Sequence, residues 1–295
     1  MKYIIFGNYG QLGKAIYDLL KTQEVEILGF DLPDYDITNF LLISKIMDKE
    51  KPDVVINCVA FNEVDEAENN FESAYRVNAA GVENIAILCK RENAKLVHFS
   101  SDYVFDGNRC IPGFYTESDT PTPINNYGRT KLEGEELVAK HLDNALILRT
   151  SWLYGNGTNN FLFKLSQWSK ENKILKITND EFSIPTSTHL VAKTTLKAIN
   201  NNLTGLYHLT CTGYCSRYDF AKAYFNEVNK EQIIYPCTQK DIFSFTKRPH
   251  FSALSNAKIC ESLQIKIPHW RDELISYLHR DDKKHPNLIK LHIEL

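Results

Sequence analysis

Five short, uninterrupted runs of apolar residues constrain the fold of this 295-residue chain more than any other feature. YIIFG (3–7), VEILGFD (25–31), DVVINCVA (53–60), AKLVHFSS (94–101) and ALILRTSW (145–152) lack the alternation of a half-exposed strand, so each predicts a strand covered on both faces. Between them LGKAIYDLLKTQ, FLLISKIMDKEK, FESAYRVNAAGVENIAILCKREN and YGRTKLEGEELVAKHL repeat apolar positions at helical spacing. Strands that alternate with helices need crossover connections, which predicts an α/β, Rossmann-type, doubly wound parallel sheet. Beyond residue 155 the pattern loosens, with FLFKLSQWSKENK and HLVAKTTLKAINN reading as helices among loops that carry Pro185, Pro236, Pro249 and Pro268. The expected division is a dinucleotide-binding part over 1–155 and a smaller, mainly substrate-binding C-terminal lobe over 156–295, from which some segments return to the sheet. That lobe should cover the carboxyl edge, where open α/β folds bind ligands.

Charge narrows the partners. A formal net charge of -3 without any basic block argues against a nucleic-acid surface or a polybasic membrane patch, and favours a small or anionic ligand. MKYIIFGNYG lacks the long apolar core of a signal peptide, and no run approaches a membrane span. The seven cysteines are odd in number and dispersed, without a Cys-x-x-Cys pair, which reads as reduced thiols in a cytoplasm. His208, Cys211 and Cys215 approach metal-ligand spacing, but no second cluster completes four ligands, so no metal site is expected. The closing HRDDKKHPNLIKLHIEL is charged, then amphipathic, with packing or disorder as its default role.

GNYGQLG sets Gly7, Gly10 and Gly13 directly after the first strand and at the mouth of the first helix. Glycines there permit a tight turn and a close approach of backbone N–H groups to a pyrophosphate. The spacing is Gly-x-x-Gly-x-x-Gly, and a turn that merely packs helix on sheet would look the same. Asp31 ends the second strand about twenty residues further on, where a carboxylate can accept hydrogen bonds from an adenosine ribose. No Arg or Lys in LGFDLPDYDIT offers itself to a 2'-phosphate, so the sequence tilts toward NADH without excluding NADPH. Asp36 and Ile37 could flank adenine, although Asp36 could equally be a helix N-cap.

At the other end of the reaction, Tyr127 and Lys131 stand four residues apart in NNYGRTK, on one face of a helix. Alone, such a pair is more often a surface lysine shielding a ring. SSDYVFDG changes the balance, because it places Ser100, Ser101 and Asp102 at the end of the fourth strand, beside the position expected for a nicotinamide.

Serine, tyrosine, lysine and the glycine turn together resemble the extended, nucleotide-sugar branch of the short-chain dehydrogenase/reductase superfamily. Within it the chain is similar to the dTDP-4-dehydrorhamnose reductase family through FGNYGQLG, PDVVINCVAFNEVDEAE, AYRVNA, VHFSSDYVFDG, YTESDTPTPINNYGRTKLEGE, ILRTSWLYG, IPTSTHLVA, GLYHL and KRP, in order along nearly the whole chain. The resemblance implies NADH- or NADPH-dependent reduction of the 4-keto group of dTDP-4-dehydro-β-L-rhamnose to dTDP-β-L-rhamnose. Tyr127 would be the proton donor, Lys131 would lower its pKa and hold the nicotinamide ribose, and Ser101 would polarise the carbonyl. It also implies dinucleotide contacts from Gly10, Gln11, Leu12, Asp31, Asp36, Ile37, Ala60, Phe61 and Asn62, and sugar contacts from Ser101, Asp102 and Trp152. Trp152 also fits a plain core role, and Asn78 would support the active-site helix or a nearby strand through its amide. Ser101 replaces the family's more common threonine, and Cys58, Val59, Phe61, Glu181 and Ile184 also depart from the usual residues. Ala15 stands where some members carry a glutamate that helps bind a bridging metal, so that metal is not expected. A homodimer is implied by family habit alone. Another 4-keto-6-deoxy sugar, an epimerase, or a non-catalytic relative of methionine adenosyltransferase regulatory subunits are the competing readings.

Overall fold

In the computed structural model of the chain, which describes residues 1–242 and 246–280, each of the five apolar runs forms a strand of one parallel sheet. These are β1 (Lys2–Phe6), β2 (Glu26–Phe30), β3 (Val54–Asn57), β4 (Lys95–Ser101) and β5 (Leu146–Thr150). Helices α1 (Gln11–Leu20), α2 (Phe40–Glu50), α3 (Val64–Asn69), α4 (Phe71–Tyr75), α5 (Gly81–Glu92) and α6 (Asn126–His141) occupy the intervals between them. The long helical pattern over 71–92 is not uniform, since a π-helical turn at Arg76–Ala80 joins α4 to α5. Such turns widen a helix by one residue and re-aim what they carry, here Asn78.

The second half contributes β6 (Leu153–Tyr154), α7 (Phe161–Glu171), β7 (Ile174–Thr178), β8 (Phe182–Ser183), β9 (Thr186–Ser187), α8 (Thr188–Asn200), β10 (Gly205–His208), β11 (Cys215–Ser216), α9 (Arg217–Glu227), β12 (Ile233–Cys237), α10 (Ala257–Leu263) and α11 (Trp270–Arg280). β10 completes the central sheet in the order β10-β5-β4-β3-β1-β2. The order reverses at β1 and β3, and open α/β sheets bind ligands beyond the strand carboxyl ends at that reversal.

Among the described residues three large apolar cores hold the layers. Ile16 and Leu20 of α1, Leu196 and Ile199 of α8 and Ile259 of α10 cover one face of the sheet. Ile43 and Met47 of α2, Ile85 and Leu88 of α5 and Val138 of α6 cover the other. A separate core of Leu162, Leu165, Phe220, Tyr224, Trp270 and Leu274 joins α7, α9 and α11 beside the paired strands β7 and β12. That third core lies over the carboxyl edge, and a cleft of about 1090 Å³ opens between it and the sheet. The charged and amphipathic end of the chain beyond Arg280 lies outside the described residues.

Candidate active site

The glycine turn shows why its residue type is needed. Gly7 has φ +81°, and a Cβ on Gly13 would stand 2.0 Å from the Gly7 carbonyl oxygen, so neither position accepts a side chain. Gly10 precedes α1 in extended backbone and no side chain caps the helix, which leaves its first N–H groups directed to the cleft. Gly10, Gln11 and Leu12 line that cleft, as do Ala60 and Asn62 beyond β3. This surface fits a dinucleotide pyrophosphate. Gly7, Gly13 and Phe61 shape the surface through backbone: the Phe61 N–H donates to Asn78 Oδ1 at 2.8 Å and its carbonyl accepts from Asn78 Nδ2 at 3.1 Å.

Asp31 is tied to the turn, its carboxylate accepting the N–H groups of Tyr9 and Leu32, each at 2.8 Å. Asp36 accepts the Thr38 N–H at 2.8 Å, while Asn39 is the residue that caps α2, so the N-cap reading of Asp36 is corrected. Ile37 is buried in the core beneath α5, and Gly81 approaches its side chain closely.

At the reacting end, Asn125 caps α6 by accepting the Gly128 N–H at 2.8 Å, which starts the helix one residue before Tyr127. Two glycines then let α6 settle against its neighbours. A Cβ on Gly128 would lie 2.0 Å from the Tyr103 carbonyl oxygen, and one on Gly134 2.2 Å from that of Asn78. Asn78 completes the support, donating to Thr130 Oγ1 at 3.1 Å as well as to Phe61. Ser101, Asp102, Tyr127, Lys131 and Trp152 thereby all line one cleft.

The electrostatics correct one expectation. Lys131 is buried, and its ammonium donates to the Phe99 carbonyl oxygen at 2.7 Å; burial lowers it to about 8. The Tyr127 phenol is not lowered here. Burial pushes it up to about 12, with a hydrogen bond from the Ser101 hydroxyl pulling the other way and the Asp102 charge adding to the rise. A phenol in that state keeps its proton at neutral pH, as a proton donor must.

Asp102 is the most enclosed acid of the cleft. Its carboxylate accepts the hydroxyls of Ser101 at 3.2 Å, Ser183 at 2.8 Å and Ser252 at 2.5 Å. Burial nevertheless raises it to about 6. Trp152 belongs both to the lobe core and to the cleft wall. Its ring packs on the lobe core and lines the cleft, its backbone adopts φ +40°, and the Arg217 guanidinium lies 3.7 Å from the ring centroid. A large aromatic with positive φ is a strained residue that its surroundings must hold, as at ligand sites.

Two cleft residues, Arg217 and Arg248, and two serines behind the cleft wall were missed by sequence reasoning. Arg217 faces Glu181 at 3.7 Å, Arg248 binds Asp65 at 2.8 Å, and Ser183 and Ser252 come from 81 and 150 residues away to hold Asp102. KRP holds Arg248 and marked its neighbourhood; the two serines left no local signal. Among the described residues no group of three or more His, Cys, Asp or Glu side chains is placed to hold a metal ion, and none of their helices is long and apolar enough to cross a membrane.

The arrangement has close counterparts. The family described as RmlD substrate binding domain matches residues 1–282. A crystal structure of a dTDP-4-dehydrorhamnose reductase from Clostridium acetobutylicum superposes with a TM-score of 0.92 at 38% identity, covering 96% of this chain and 100% of that one. Another dTDP-4-dehydrorhamnose reductase, from Bacillus anthracis in complex with NADP, gives 0.91 at 34% identity, covering 95% and 100%. A dTDP-4-keto-6-deoxy-D-glucose reductase of Streptomyces niveus is 31% identical over 275 residues, covering 92% of this chain and 95% of that one.

Proposed function

The chain belongs to the family of dTDP-4-dehydrorhamnose reductases, and from that premise we propose that it reduces the 4-keto group of dTDP-4-dehydro-β-L-rhamnose to dTDP-β-L-rhamnose with NADH or NADPH. The observation that carries this reading is the meeting of Ser101, Tyr127 and Lys131 in the cleft that the glycine turn also lines. When bound, the reduced nicotinamide supplies the hydride. As the keto carbon receives it, the carbonyl π pair moves onto oxygen, and Tyr127 donates its phenolic proton to that oxygen. Ser101 turns its hydroxyl from Asp102 toward the same oxygen and stabilises the developing charge. Lys131 holds the nicotinamide ribose and stabilises the phenolate left on Tyr127. Asp102 and Trp152 hold the sugar, while Gly10, Gln11, Leu12, Ala60 and Asn62 hold the dinucleotide.

In this reading residues 1–155 bind the dinucleotide and the lobe built mainly from 156–295 binds the nucleotide sugar. The protein works in the cytoplasm, and a homodimer is its expected assembly. The Streptomyces relative favours a second reading, in which the same residues reduce a 4-keto-6-deoxy sugar of different stereochemistry. Oxidation of NADH and NADPH is measured with dTDP-4-dehydrorhamnose generated in situ by the preceding epimerase. Loss of reduced cofactor with dTDP-rhamnose as product is the expected result. Folded protein that binds cofactor but turns over only dTDP-4-keto-6-deoxy-D-glucose would transfer the assignment to the second reading.

A further inference from the structure

A row of polar side chains crosses the sheet on the face that α6 covers, and of its members only Ser100 reaches the cleft. Parallel register puts Asn57 beside His98, Ser100 beside Arg149, and Arg149 beside His208. All five are buried. Glu135 descends onto this row from α6, one turn beyond Lys131 and two beyond Tyr127, so the three share a helix face. Its carboxylate takes both arms of Arg149, at 2.9 Å from Nε and 2.6 Å from the second guanidinium nitrogen. The guanidinium carbon also stands 5.0 Å from the centre of the Phe105 ring.

We infer that Glu135 and Arg149 are positioning residues for Lys131, a buried pair that sets the charge beneath the active-site helix. The inference rests on the proposed function only for the role of Lys131. An enclosed ion pair seldom exceeds well-packed apolar side chains in stability, because both charges lose their hydration. Its position beneath the lysine gives it another use. On α6 itself Tyr127 and Glu135 stand one turn to either side of Lys131; from β4 it faces His98 and donates to the Phe99 carbonyl oxygen at 2.7 Å. Arg149 of β5 and His208 of β10 lie further along the row, with Glu117 and Asp119 bordering His208 from the loop before α6. Both histidines are held neutral, His208 at about 3 and His98 well below its ordinary value, chiefly by burial. Glu135 is the charge that favours the lysine ammonium, and Arg149 offsets it. Loss of Arg149 would leave an uncompensated carboxylate drawing the ammonium down the helix and away from Tyr127. Loss of Glu135 would leave an uncompensated guanidinium that expels it.

The pair therefore predicts shifts of opposite sign. In Arg149→Met the alkaline limb of kcat/KM should move up by about one pH unit, and in Glu135→Gln down by about one unit. The double variant, neutral at both positions, should return the limb to its wild-type position, with kcat within about threefold of wild type. The same limb is read from NADPH affinity without sugar, so a wrong sugar would silence turnover while leaving this test in force. Limbs that stay at the wild-type pH in all folded variants, singles that move the same way, or a double variant that keeps a displaced limb would each overturn the inference. Should a single variant fail to fold, the double variant and Arg149→Lys decide it, since Arg149→Lys should keep the wild-type limb.

Discussion

The two walls of the cleft are made differently. On the sheet side the ligand surface is backbone: a turn whose glycines admit no Cβ, a helix start without a side-chain cap, and a loop whose peptide groups are held by Asn78. On the lobe side it is side chains, with Arg217 over Trp152 and Glu181 beside Arg217, while Ser183 and Ser252 hold the Asp102 carboxylate from behind. A backbone surface recognises what every dinucleotide shares, whereas a side-chain surface can be re-cut for one sugar. The difference teaches that the first wall should fail abruptly on substitution and the second by degrees.

The sharpest test is Gly13→Ala. A Cβ 2.0 Å from the Gly7 carbonyl oxygen forces the turn apart, and a loss of about 3 kcal/mol in unfolding free energy is expected, with cofactor affinity falling alongside. Denaturant titration measures it, and a loss below about 0.5 kcal/mol would break the claim that this wall tolerates no added atom.

Tyr127→Phe comes next, at the seam of the two walls. It keeps the ring, which packs edge-on to Tyr103, and removes the proton, so kcat should fall about a hundredfold, or about 2.7 kcal/mol, with cofactor binding nearly unchanged. Near-normal turnover would remove Tyr127 from the mechanism.

On the lobe side Asp102→Asn should show in the pH dependence of stability. The folded protein binds the Asp102 proton more tightly than the unfolded chain, at about 6 against an ordinary 3.8. Its contribution is therefore full below about pH 4, declines as pH rises toward about 6, and is level beyond. The asparagine does not titrate, so the difference in Tm should drift in favour of the variant through that window and then hold steady. A difference that is constant from pH 4 to 6 would mean that the carboxyl is not held as its burial implies.

The smallest effect is expected at Asp31, whose carboxylate is already occupied by two backbone N–H groups. Asp31→Ala should shift the preference between the two cofactors toward NADPH by about fivefold, or about 1 kcal/mol of relieved repulsion. No change in the ratio of kcat/KM values would show that this acid serves the turn alone.

How much was legible in the sequence follows the same divide. β1, β3, β4 and β5 announce themselves because strands buried on both faces must be continuously apolar, and the glycine turn announces itself by residue type and place. β10 did not, since a four-residue edge strand that runs from exposed Gly205 through half-buried Leu206 and Tyr207 to buried His208 carries no such run. The π turn around Asn78 reads as ordinary helix, because apolar spacing survives one extra residue. Ser183 and Ser252 were invisible, their role being set by where the lobe folds. The pKa of Tyr127 was read in the wrong direction because burial, which no short motif reveals, outweighs its neighbours.

The three hydroxyls gathered on Asp102 carry a lesson for anyone who would exchange parts between relatives. One comes from the end of β4, one from β8 and one from the segment after KRP, so a single carboxylate ties together pieces that a domain boundary drawn on the sequence would separate. A chimera that grafts a foreign lobe onto this sheet inherits a buried acid whose partners stayed behind, unless the graft also carries hydroxyls at positions 183 and 252. The modular unit for swapping sugar specificity is therefore the lobe together with its donors to Asp102.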